Sequence, residues 1–375
     1  MKGKELVHKV LDYLGRETMD TEERRLLTMS LGPSVSQEEL DAFLKDWDIE
    51  KVPIHSVILL AYLMKIHPEL SFPDSVLPRL KGVLNFCRLQ SLKLFSHFSR
   101  IAGALNRRNI PFVILKGGAM KVYRPEFPRW MGDVDILVKD KDFHAAETVA
   151  EELGYSPFRC SHSTDLRIAG TDESVVDLHR FIQMHTGEER PFNDDLFRRA
   201  GKERMFSSDG FLPCREDMVF ISLVNLYKNL SERTSAGSVL NSFFDLHYLL
   251  GLPGGFDWGI VRENAARTRS EIQVWMAAAF VSSLLPGLFP EGFLSDRIDD
   301  RAAEAHCLRL MYKREVLSPM RAEIGEFNLA KAFREIRPLA PYVGRRAKFF
   351  FLKRIPGLKA KMRILRNKGF LINEE

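Results

Sequence analysis

A chain of 375 residues, 45% hydrophobic and 28% charged, is long enough for two or three domains and excludes a disordered, fibrous or collagen-like protein. The net charge of +5 is unevenly placed: Arg345 to Lys368 holds ten Lys/Arg and no acid, leaving 45 basic against 50 acidic groups elsewhere. Attraction of the whole body to nucleic acid is therefore not indicated.

The N-terminal stretch MKGKELVHKVLDYLGRE is charged throughout and lacks the apolar core of a secretory signal. Four widely spaced cysteines (Cys87, Cys160, Cys214, Cys307) with no C-x-x-C pair argue against a zinc site or disulfide framework and fit a reducing compartment. The longest apolar run, Val274 to Phe289, is interrupted by serines, Pro286 and Gly287, and reads as a buried helix rather than a membrane span. The expected location is the cytoplasm.

Residues 1 to about 107 read as helical. Leu6, Val10, Leu11 and Leu14 recur at helical spacing, and Ser36-Gln37-Glu38-Glu39 before Leu40 has the form of a capped start. Val57 to Met64 is a continuous apolar block, as for a buried helix. From Leu77 to Leu105 a broad stripe, including Val83, Phe86, Leu89, Leu92, Phe95, Phe98 and Leu105, predicts another. No chemistry is legible here, and a lid or packing layer is the plain role.

An α/β segment follows. Phe112-Val113-Ile114-Leu115 predicts a short buried strand, and Lys116-Gly117-Gly118 a turn into a helix. Gly132 to Val138 predicts a second strand, and Lys141 to Leu153 a helix closed by Gly154. Tyr155 to Phe158, Leu166 to Ile168 and Ser174 to Arg180 are further strand candidates. Helical spacing then returns over Met218 to Leu230, Leu240 to Leu250, Ile272 to Leu285 and Arg301 to Tyr312.

The chemistry concentrates in the α/β segment. Asp133 and Asp135 are two apart on a strand and so share a face, where two carboxylates repel unless a cation lies between them. Oxygen donors of this kind suit Mg²⁺. Asp177, in the apolar Val175-Val176-Asp177-Leu178, is the natural third carboxylate: a ligand that also helps remove an acceptor's proton, or an edge acid paired with a base such as Arg180. His179 shares its face as a pocket residue or a structural histidine. Gly117 and Gly118 let backbone approach a phosphate at a helix N-terminus. Lys116 and Arg129 either neutralise triphosphate charge or are surface bases.

Gly117-Gly118, a spacer, Asp133-Val134-Asp135-Ile136 and a later strand with Asp177 together resemble the nucleotidyltransferase fold of the DNA polymerase β superfamily. More narrowly, the chain is similar to a bacterial group of uncharacterised nucleotidyltransferases. The pieces that carry this are Leu115-Lys116-Gly117, Arg129, Gly132 to Val138, Leu153-Gly154-Tyr155 and Val176-Asp177-Leu178-His179, with the helix around Asp245. The fourteen residues between Gly118 and Asp133 are a slightly long spacer, and Leu223-Val224-Asn225-Leu226 stands where relatives often carry a histidine. The resemblance implies transfer of a nucleoside monophosphate from an NTP to a hydroxyl acceptor (a small molecule, saccharide or protein), with release of pyrophosphate. It also implies Mg²⁺, as two ions, held by Asp133, Asp135 and Asp177. The alternative is a catalytically silent binding module on the same fold.

The expected class is α+β, a small mixed-sheet core flanked by helices. Residues 1–107 would form a helical N-terminal region, 108–205 the catalytic core, 206–335 a helical C-terminal region and 336–375 a basic amphipathic tail. Residues 345–368 interleave bases with Phe349, Phe350, Phe351 and Leu352. Such a stretch contacts an anionic membrane surface or polyanion, or packs its apolar side on the body.

Overall fold

The computed structural model describes residues 3–312 except positions 46, 126–127, 161, 185–188, 207, 233 and 294. The basic tail and its membrane or polyanion contact lie outside the described residues. Contacts divide the chain into two compact units, residues 1–15 with 297–375, and residues 16–296. The described part of the first consists of most of α1 (Gly3–Thr18) and of α13 (Asp300–Tyr312), which bury Val7, Val10, Leu14, Cys307 and Met311. Among the described residues, no helix is long and apolar enough to cross a membrane.

The second unit opens with helices whose starts are written locally. Asp20 caps α2 (Thr21–Leu31) and Ser36 caps α3 (Gln37–Leu44), each in a reciprocal box with a glutamate three residues on. Two orphan backbone N–H groups are satisfied at each end in this way. In α4 (Ile54–Ile66) every residue from Ser56 to Leu63 is buried, as a helix apolar on all sides requires. α5 (Leu77–Arg107) packs on the sheet described below through side chains such as Phe98, edge-on to Phe112 at 5.7 Å. The broad stripe of this helix is narrower than its sequence suggests: Phe86, Leu89 and Leu92 are exposed, and Phe86 stacks on Trp130 at 5.1 Å.

The sheet is mixed and seven-stranded. Its strands are β1 (Phe112–Ile114), β2 (Val134–Val138), β3 (Tyr155–Arg159), β4 (Ser163–Ile168), β5 (Ser174–His179), β6 (Gly201–Met205) and β7 (Ser208–Leu212), in the order β3-β4-β5-β2-β1-β7-β6. β5 runs parallel to β2, and β7 parallel to β1; the remaining neighbours are antiparallel. This is the α+β arrangement expected, a mixed sheet flanked by helices. α6 (Lys116–Tyr123) joins β1 to β2, and α7 (Phe143–Glu152) follows β2, with Gly154 at φ +85° beyond its end. That left-handed position is where glycine costs least.

Four elements escaped the sequence pattern: the two strands of the β6–β7 hairpin, α8 (Glu189–Arg199) and α11 (Trp258–Arg267). β6 reads Gly-Lys-Glu-Arg-Met with four exposed positions, so it has no apolar alternation to detect; pairing with β7 makes it a strand. The last helices are α9 (Arg215–Glu232), α10 (Ala236–Gly251) and α12 (Glu271–Leu284). α8, α9 and α11 are tied together by Asp217, fully buried. It accepts from Arg199 Nη2 (2.6 Å) and Nε (3.0 Å) and from Asn264 Nδ2 (2.8 Å).

Candidate active site

The site is built where β1, α6, β2 and β5 meet. β1 ends at Ile114 and the chain turns directly into α6, with Lys116 at φ +45° and Leu115 N–H donating to the Asp135 carbonyl at 2.9 Å. Both following glycines are demanded by close packing. A Cβ on Gly117 would stand 2.1 Å from Arg129 Nη1, and one on Gly118 would stand 2.8 Å from Ile114 Cγ1 and 3.0 Å from Val134 Cγ1. Leu115 at the N-cap supplies no side-chain acceptor, so the first-turn N–H groups of α6 have no side-chain cap.

The parallel pairing of β2 and β5 sets Asp135 directly opposite Asp177 and Leu137 opposite His179. With period two along each strand, Asp135, Asp177 and His179 come to one place. Each offers one potential ligand atom, all within 4.8 Å of one another. His179 Nε2 lies 2.9 Å from Asp135 Oδ1 and 3.0 Å from Asp177 Oδ2. Asp133 sits one residue before β2 and makes no hydrogen bond or ion pair among the described residues.

Burial and neighbouring charge pull these groups apart. Burial, reinforced by the Asp135 carboxylate, pushes Asp133 up to about 7. Burial also opposes ionisation of Asp135, but Lys116 and the His179 hydrogen bond outweigh it and hold that carboxyl below its usual range. Asp177 is likewise held low, with His179 overcoming burial. His179 is raised, because Asp177 and the two hydrogen bonds to carboxylates overcome the burial that would lower it. Two carboxylates and an imidazole thus converge as a potential donor set, with Asp133, one residue ahead of β2, outside that group but within electrostatic reach of it.

The two bases expected near the triphosphate are already engaged. Lys116 Nζ lies 2.5 Å from Asp135 Oδ1. Arg129 donates from Nε to Asp245 Oδ1 (2.7 Å), from Nη2 to Asp245 Oδ2 (3.1 Å) and from Nη1 to the Trp130 carbonyl (3.3 Å), and both side chains of the pair are buried. Arg129 therefore braces the glycine turn against α10. Asp245 carried a signal of its own, an acid inside the apolar FFDLHYLL, where burial demands a basic partner.

Two further groups were not singled out from sequence. His162, one residue before β4, lies with its ring 5.9 Å from that of His179, and burial followed by His179 pushes it down to about 4. Lys228, half-buried on α9, is lowered by burial and then by Lys116, and feels Asp177 and Asp135. Neither lies in a recognisable motif. Three polar atoms here, Asp177 Oδ1, His179 Nδ1 and His162 Nδ1, are buried with no hydrogen-bond partner among the described residues.

Residues 55–286 match a family model described as "Uncharacterised nucleotidyltransferase". Among solved structures, the chain is similar to the solution structure of the antibiotic-resistance factor ANT(2'')-Ia, at 12% identity and a TM-score of 0.35, over 50% of this chain and 97% of that one. It is also similar to an antigenic nucleotidyltransferase-like protein from Paracoccidioides brasiliensis, at 15% identity and a TM-score of 0.33, over 59% of this chain and 95% of that one. None of the curated proteins matches the chain.

Proposed function

This chain belongs to the uncharacterised nucleotidyltransferase family, and on that premise we propose that it moves a nucleoside monophosphate from an NTP to a hydroxyl acceptor. The observation that carries this reading is the register that sets Asp135 opposite Asp177, with Asp133 just ahead of the same strand. The polymerase β superfamily is the wider group to which we assign it.

In such a transfer the acceptor oxygen bonds to the α-phosphorus, and the bond from that phosphorus to the oxygen bridging to the β-phosphate breaks. Pyrophosphate leaves, and the acceptor's proton must go to a base. Asp177 is the base we assign, because its Oδ1 is buried and has no hydrogen-bond partner among the described residues while Oδ2 is held by His179. The first-turn N–H groups of α6, at Gly117 and Gly118, are the contacts we assign to the triphosphate. Arg129 and Asp245 hold those glycines from behind.

The site fits a divalent cation: Asp135, Asp177 and His179 each offer a ligand atom within 4.8 Å of the others, and Asp133 just ahead of β2 has no hydrogen-bond or ion-pair partner among the described residues. Asp133, Asp135 and Asp177 are the residues we assign to Mg²⁺, which when bound would neutralise phosphate charge and polarise the α-phosphoryl group. We place the catalytic core at 108–205, extended by the β6–β7 hairpin, with the helical regions on either side choosing the acceptor. That acceptor is a small molecule, a saccharide or a protein.

The test is incubation of the protein and Mg²⁺ with each α-³²P-labelled NTP and a lysate of its source organism. Label should appear on an acceptor with wild type and vanish with Asp133→Asn/Asp135→Asn. Absence of both NTP binding and label transfer would end the enzymatic reading.

A further inference from the structure

The line of side chains that starts at Asp135 and Asp177 continues outward across the sheet. β4 sets Asp165 directly opposite Asp177, and β3 in turn sets Phe158 opposite Asp165. Residues paired in this way share a face, so Asp135, Asp177, Asp165 and Phe158 form one row across four strands. β3 is the edge strand, and Phe158 is 53% exposed there. An open shelf therefore begins at Asp177 and runs out over β4 and β3.

The side chains of the shelf are held in place. The Arg167 guanidinium lies over the Phe158 ring, 4.2 Å from its centroid. It donates from Nε to Asp165 Oδ2 at 2.8 Å and from Nη1 to Asp172 Oδ1 at 3.4 Å, and Ser174 Oγ donates to Asp165 Oδ1. These contacts fix an aromatic plate beside planar polar groups. At the inner end, the His162 carbonyl accepts the Arg180 N–H at 2.9 Å, and its ring stands 5.9 Å from that of His179. His162 Nδ1, His179 Nδ1 and Asp177 Oδ1, on adjoining side chains, are buried with no hydrogen-bond partner among the described residues. Unpaired buried polar atoms cost free energy, and three together mark a place that a polar ligand completes.

We propose that this shelf is the acceptor subsite and that the acceptor is a neutral saccharide of at least two rings, one stacked on Phe158 and another presenting its hydroxyl to Asp177. This rests on the nucleotidyltransferase reading above and names its acceptor class. Phe158 and Asp177 lie two strands apart, about 10 Å, a span that linked rings cover and a single ring does not. A sugar offers an apolar C–H face to an aromatic ring and hydroxyls to carboxylates and imidazoles, the groups present here. Asp165, Asp172 and Asp177 outnumber Arg167 along the shelf, which disfavours a polyanion. An extended peptide pairing through its backbone finds β4 bonded on both sides, and on the edge strand β3 it meets Pro157, which has no N–H to give.

The test incubates the full-length protein and Mg²⁺ with an array of neutral mono- to tetrasaccharides and a parallel array of hydroxyl-bearing peptides. Retention of α,β-methylene NTP analogues is measured on the same preparation by equilibrium dialysis. Binding to glycans of two or more rings is expected. Phe158→Ala, at an exposed position, should weaken it by about tenfold or more with nucleotide retention unchanged, and Phe158→Trp, which keeps a stacking face, should preserve it. Binding to peptides alone, or to no glycan while nucleotide is retained, would overturn the proposal and leave the nucleotidyltransferase reading standing. Glycan binding that Phe158→Ala does not change would overturn it too. Failure to retain any nucleotide would end that reading and the proposal with it.

Discussion

Arg129 and Asp245 stand 116 positions apart in the chain and meet in a two-point ion pair, 2.7 and 3.1 Å, that is buried on both sides. The guanidinium lies directly against Gly117, so the glycine turn and α10 form one mechanical unit. The acids of β2 are positioned from the other side of that turn, through Leu115 N–H on the Asp135 carbonyl.

Gly117→Ala should therefore cost far more than a glycine substitution ordinarily does. The new methyl would sit 2.1 Å from Arg129 Nη1 and push the guanidinium off Asp245. A loss of about 2–4 kcal/mol in urea unfolding is expected, from overpacking and a disturbed buried pair. Gly132→Ala is the control, since nothing lies within 4 Å of its added Cβ. Equal effects at both positions would contradict the account.

Asp245→Ala leaves Arg129 charged, buried and without its carboxylate, and should destabilise by about 3–5 kcal/mol. Asp217→Ala should do the same for an unrelated reason, because it strands Arg199 and Asn264 between α8, α9 and α11. Chemical denaturation measures both. The pairs are separate networks, so the double variant should be close to additive.

Asp133 ties stability to pH. Its pKa rises from an ordinary 3.8 to about 7 in the folded protein, so the fold binds that proton more tightly than the unfolded chain does. The resulting stabilisation is complete below about pH 4 and is lost as pH rises through about 7. Thermal melts of the metal-free protein should lose midpoint between those limits, and Asp133→Asn should flatten that slope. Added Mg²⁺ should recover stability above about pH 7, where the carboxylate is ionised and can bind it. Binding of Mg²⁺ should correspondingly weaken as pH falls below that point.

Asp135→Asn and Asp177→Asn should each lower nucleotidyl transfer by a factor of about 10²–10³ or more, the scale of losing one charged group that acts on the transition state. Their apo folds should survive. Melting temperature and initial rate, measured on the same preparations, separate loss of chemistry from loss of fold.

Much of the core was legible because its signals are local. The capped start at Ser36, the apolar run of α4, and the D-x-D before an apolar strand all lie within a few residues, where periodicity and capping operate. β6 was not legible, since an exposed edge strand carries no burial pattern and exists through its partner β7. Phe86, Leu89 and Leu92 were read as core because helical spacing reports which residues share a face, not whether anything covers that face.

The same division runs through the site. Sequence alone determined that three aspartates, two glycines and a following helix would lie in one α/β segment, because side-chain alternation and glycine's backbone freedom are properties of the local chain. Only the tertiary structure decided that Asp135 faces Asp177 across parallel strands, that Lys116 and His179 turn onto those acids, and that Arg129 turns away to Asp245. Charge pairing over 19, 44 and 116 positions depends on strand register and helix packing, which no local pattern encodes.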